Sequence, residues 1–124
     1  MTAKYLLAIV GLAVVTVSLH AETFACDLKA LTPEQRKEHQ KLSKELASAV
    51  TGLRELPDGY TLRINSAKLP LVGIAQWITL ERHCCPFLRF RVDVEPTDET
   101  VGLSLQGAPG VKQFIETEFR LGKR

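Results

Sequence analysis

The chain has 124 residues, 45% of them hydrophobic and 24% charged, with 16 Lys+Arg against 14 Asp+Glu. This length suits one domain with a modest core, and the composition excludes collagen-like and disordered classes. The two signs of charge are interspersed and nearly balanced, so there is no basic footprint for nucleic acid.

The start, "MTAKYLLAIVGLAVVTVSLHAE", places Lys4 before an uncharged apolar run from Tyr5 to about Leu19, with Ala21 at a cleavage position. A basic n-region, a hydrophobic h-region and a small residue form a signal peptide pattern. The run is shorter than the roughly 20 apolar residues of a full membrane span. Residues 1–21 are therefore expected to be a signal peptide, with an uncleaved anchor as the alternative, and residues 22–124 a single domain. Contact with a membrane is expected only through that anchor. Export points to the periplasm or the exterior, where thiols meet oxidants.

The mature chain opens on "TFACDL", whose alternation of Phe24, Cys26 and Leu28 predicts a short strand with Cys26 turned inward. A helix follows, because Thr32 can cap, Pro33 suits the first position and Gln35 completes a capping box. His39, Leu42, Leu46, Ala49, Val50 and Leu53 recur at spacings of three and four, predicting one buried face, with His39 a hydrogen-bonded member of it. "LPDGY" ends this helix in a turn. "YTLRI" alternates as a second strand.

"LPLVGIAQWITLERHC" reads as a second helix with Leu71, Ile74, Ala75 and Ile78 toward the core and Trp77 and Leu80 beside them. Glu81, next to Arg82, reads as part of a surface ion pair of little weight. "FLRFRVDV" puts Leu88, Phe90, Val92 and Val94 on one face, and "VGLSLQ" repeats the alternation with Val101, Leu103 and Leu105. Their short polar connection predicts an antiparallel hairpin. "GAPGVKQFIETEFRL" is a turn and a third helix with Val111, Phe114, Ile115 and Phe119 inward. The expected fold is an α/β (α+β) two-layer sandwich in the order β-α-β-α-β-β-α, with a largely antiparallel sheet and helices on one face.

The chemistry is concentrated in "ERHCCPF". Three cysteines, Cys26, Cys84 and Cys85, are an odd number, so at least one is free, intermolecularly paired or metal-bound in an oxidising compartment. A vicinal Cys84–Cys85 disulfide is unfavourable, because neighbouring Cα atoms sit about 3.8 Å apart whereas bridged cysteines prefer about 4.4–6.8 Å. A bridge from Cys26 to one of the pair closes a loop of nearly 60 residues. It would stabilise a small domain by roughly 4 kcal/mol. Pro86 disfavours helical geometry at Cys85, so Cys84 ends the helix and Cys85 turns extended. That change of backbone lets the two sulfurs either converge on one ion or divide inward and outward.

Thiolates select soft ions, here Hg, Cu or Zn, and Cys84 and Cys85 with Cys26 or His83 supply up to four donors. His83 also reads simply as a cation at a helix C-terminus. The exposed amides of "GAPGVK" read as turn chemistry, since the longer phosphate-loop pattern is missing. No Ser-His-Asp set, H-E-x-x-H site or pair of catalytic carboxylates appears, so nothing in the sequence assigns an enzyme.

"FACDLKAL", "WITLERHCCPFLRFRVDV" and "LSLQGAPGVKQFI" resemble a largely uncharacterised family of small bacterial proteins with the pattern F-A-C-x-L-x-A-L, then E-R-x-C-C-P-F, then G-x-x-G-V-K-x-F. The resemblance covers nearly all of the mature chain and implies that Cys26, Cys84 and Cys85 form one constellation. It brings no activity with it. Similar E-x-x-C-C-x-F segments accompany heavy-metal-responsive regulators, a likeness that implies a soft metal. The leading expectation is an exported soft-metal binder. Its alternatives are a disulfide-stapled structural or interaction module with an unknown protein partner, and a thiol redox protein, which would lack the usual C-x-x-C spacing.

Overall fold

The computed structural model describes residues 13–16, 24–96 and 98–121. Most of the expected signal segment therefore lies outside the described residues. Among those described, no helix is long and apolar enough to cross a membrane.

Among the described residues, three α-helices and four strands form a mixed α+β domain: α1 (Pro33–Ala49), β1 (Val50–Leu56), β2 (Gly59–Asn65), α2 (Leu71–Cys84), β3 (Arg89–Val94), β4 (Thr100–Gln106) and α3 (Val111–Glu118). The sheet is antiparallel throughout, in the order β1-β2-β4-β3, and the helices pack against it. The expected architecture thus stands. Two elements differ from the expected order.

The segment around Cys26 is not a strand. Phe24–Asp27 runs without a ladder partner and leads into a short 3-10 turn, Leu28–Ala30. Its backbone bonds elsewhere, the Asp27 N–H donating to the Cys84 carbonyl at 2.8 Å. The second difference is β1. Val50 and Leu53, expected on the α1 stripe, belong to this strand, and α1 stops at Ala49. Residues 49, 50 and 53 fit a helical stripe as well as a strand face. The β-branched Val50 and Thr51 followed by Gly52 weaken the helix, while pairing with β2 satisfies the backbone. Leu56 pairs with Gly59, so Pro57 and Asp58 make a two-residue turn.

The start of α1 is as expected. Thr32 Oγ1 accepts from the Gln35 N–H at 3.2 Å, and Gln35 Oε1 accepts from the Thr32 N–H at 2.9 Å. The core between helices and sheet contains Leu42, Leu46, Leu62, Ile64, Leu103 and Leu105, among others. On the opposite face Arg54, Thr61, Ser104 and Arg91 stand in one row across all four strands. Helix cover ends before the far part of β3. Val92 and Val94, expected inside, are 40% and 55% exposed.

The phase of α2 matters most for function. Its buried residues are Gly73, Ile74, Trp77, Glu81 and Cys84, a stripe spaced by threes and fours. Leu71 and Ala75, expected inward, face outward. A carboxylate thus occupies a core position.

Candidate metal and thiol centre

Glu81, Cys84 and Cys85 stand at i, i+3 and i+4, the spacing that puts side chains on one helical face. The Cys85 N–H still donates to the Glu81 carbonyl at 2.7 Å, after which the chain leaves the helix with Cys85 at φ −126° and ψ 68°. This exit before Pro86 is the bend that brings both sulfurs to one side. Cys84 Sγ and Cys85 Sγ are 3.8 Å apart, and both residues are buried.

Cys26 arrives from the N-terminal segment and forms a disulfide with Cys85, with Cα atoms 4.7 Å apart. Three contacts hold the segment there: the disulfide, the Asp27 to Cys84 backbone bond, and the Phe24 ring against Phe87 at 4.9 Å between centroids. Cys84 is the free cysteine.

Glu81 is the residue that sequence reasoning misplaced. Only 3% exposed, it lies at the centre of the cluster and is not a surface partner of Arg82. Its Oε1 is 3.1 Å from Cys85 Sγ and 4.0 Å from Cys26 Sγ, and its Oε2 is 3.9 Å from Cys84 Sγ. Oε2 also pairs with Nε2 of His39, which reaches across from α1. A second rung lies one turn away on both helices, where Trp77 Nε1–H donates to Ser43 Oγ at 3.0 Å. These two rungs register α1 on α2 and fix the carboxylate's orientation. A buried polar group is tolerated when it is hydrogen-bonded, and His39 supplies that partner.

One donor atom from each of Cys26, Glu81, Cys84 and Cys85 lies within 4.8 Å of the others, so this group can hold a metal ion. The structure therefore brings together the three expected cysteines and adds Glu81. His83, named as a fourth donor, is exposed at the end of α2 and is not part of the group. It is one residue before Cys84, and in a helix adjacent side chains diverge by about 100°. The position of Glu81 was legible as E-x-x-C-C, but its weight appears only when the whole α2 stripe is phased with Glu81 inside.

Burial, with the Glu81 carboxylate beside it, pushes the Cys84 thiol up to about 11. At neutral pH it is therefore an S–H group, directed at the Glu81 backbone carbonyl at 3.6 Å. While the disulfide is closed, only Cys84 and Glu81 of the group are free to ligate.

A cleft of about 560 Å³ opens onto this centre. Phe24, Cys26 and Leu28 form one side, Gln113 and Phe114 of α3 another, and His39 and Glu81 line it as well. Of the two bridged cysteines, Cys26 is half-buried and lines this cleft, and Cys85 is fully buried. A smaller cleft of about 310 Å³ on the other side is lined by His39, Trp77, Glu81 and Phe119, so the His39–Glu81 pair stands between two openings. Comparison of the chain with protein-family models, with curated proteins and with solved structures gives no match.

Proposed function

We propose that the protein is an exported binder of a soft metal ion, held in the reduced state by Cys84, Cys85 and Cys26. The carboxylate of Glu81 completes the donor set in place of His83. The observation that carries this reading is the convergence of the four donor atoms within 4.8 Å, with Glu81, Cys84 and Cys85 buried. Two or three thiolates satisfy Hg(II) or Cu(I), whereas Zn(II) takes four donors and would draw on the carboxylate. The signal-like residues 1–21 support export, and a bridge between Cys26 and Cys85 is the kind of bond that persists in an oxidising compartment.

Native mass spectrometry of the reduced protein with Hg(II), Cu(I) or Zn(II), beside a Cys84→Ser/Cys85→Ser variant, tests the proposal. One equivalent retained by the native sequence and lost in the variant is expected. Equal uptake by both ends the reading.

The disulfide itself favours a second reading, a stapled structural or interaction module without metal. That module would show one free cysteine when oxidised, would lose thermal stability on reduction, and would take up no metal in either state.

A further inference from the structure

The bridge between Cys26 and Cys85 joins two sulfurs with unequal access. Cys85 is fully buried, its sulfur 3.1 Å from Glu81 Oε1 and 3.8 Å from Cys84 Sγ. Cys26 is half-buried and forms part of the wall of the 560 Å³ cleft. Disulfide exchange depends on which sulfur an incoming thiolate can reach and on how well the other leaves. The cleft has the size of a small-molecule site, about 300–1,000 Å³, with apolar walls from Phe24, Leu28 and Phe114 and polar groups from Gln113 and His39.

We infer that the Cys26–Cys85 disulfide is a thiol-exchange centre for small thiols, entered through this cleft and attacked only at Cys26. This goes beyond metal binding, because it concerns the oxidised, metal-free protein. The thiolate of a small dithiol attacks Cys26 Sγ, a new S–S bond forms there, and the Cys26–Cys85 bond breaks with its electron pair leaving on Cys85 Sγ. Cys85 takes up the proton that the attacking thiol gave up to solvent on forming its thiolate, and the resulting S–H has Glu81 Oε1 as acceptor at the distance of 3.1 Å already present. The second thiol of the dithiol then displaces Cys26, which takes up a proton from solvent. The small molecule departs as a disulfide, two electrons poorer, and the protein holds two thiols. Burial beside the Glu81 carboxylate does not make Cys85 the better leaving group, so it is access through the open cleft that directs attack to Cys26.

The test uses glutathione, a monothiol that stops at the first step, on the oxidised full-length protein in the presence of a chelator. After quenching with N-ethylmaleimide, peptide mass mapping locates the mixed disulfide. Glutathione on Cys26 with maleimide on Cys85 is expected. Gln113, exposed on α3 at the cleft, is then replaced as Gln113→Trp to fill the entrance, which should slow opening about tenfold while leaving the melting temperature in place. Glutathione on Cys85, opening no faster than global unfolding, or an unchanged rate in a folded Gln113→Trp variant would each overturn the inference. Metal uptake by the reduced protein is measured separately, so either proposal can fail without the other.

Discussion

Opening the Cys26–Cys85 bond, by reduction or as Cys26→Ser, should lower stability by an amount that the loop length sets. The bridge spans a sequence separation of 59 and encloses α1, β1, β2 and α2. Constraining a loop of that length removes unfolded-state entropy worth about 4 kcal/mol at room temperature. For a domain of this size each kcal/mol moves the melting temperature by about 4–8 °C, so the full effect corresponds to about 16–32 °C. The native contacts of the segment, Asp27 to Cys84 and Phe24 to Phe87, do not set this figure, because the entropy is gained by the unfolded chain. Circular dichroism melts of oxidised and reduced protein, with a chelator present so that no metal substitutes for the bond, measure it. A drop smaller than about 3 °C, far below that expectation, would refute a closed bridge as a structural staple.

Burial and Glu81 hold the Cys84 thiol near 11, so alkylation of the native oxidised protein by iodoacetamide should keep accelerating well above pH 9. An ordinary thiol would level off near its usual pKa of about 8.5. By the same linkage, a pKa raised on folding stabilises the native state at neutral pH, and this contribution is lost as pH rises toward 11. The Cys84→Ser variant should therefore show a flatter stability profile in urea above pH 9. His39→Ala leaves the buried Glu81 side chain without its hydrogen-bond partner and should cost about 1–3 kcal/mol by urea denaturation. Adding Glu81→Gln to it should recover part of that loss, and additive losses would mean the two side chains do not interact. At Gly59 a Cβ would stand 1.9 Å from the Leu105 carbonyl oxygen. Gly59→Ala should force β2 from β4 and cost about 3 kcal/mol or more, and a native urea midpoint would contradict that close approach.

The helix phase explains why the site was only half legible. E-x-x-C-C is visible as three positions on one face of a helix, yet a glutamate beside an arginine near a helix end is ordinarily solvated, and the stripe was phased on Leu71 and Ala75 instead. What reverses the choice is α1. His39 and Ser43, one turn apart, meet Glu81 and Trp77, also one turn apart. Only that pairing makes burial of the carboxylate affordable. The β1–β2 hairpin was hidden for a related reason. Ala49, Val50 and Leu53 satisfy a helical period until a neighbouring strand exists to pair with, while "LPDG" marked the turn without saying that a strand precedes it.

By itself the sequence determined the layered α+β class, the capped start of α1, the hairpin of β3 and β4, and the bend at Pro86 that draws two sulfurs together. These are local matters, set by period, capping chemistry and the restriction on a residue before proline. The tertiary structure alone decided that Cys85 is the bridging member of the pair, that Cys84 stays free, and that Glu81 lies among the three cysteines. Those outcomes depend on which groups arrive from residues 24–43, and no local preference within "ERHCCPF" encodes that arrival.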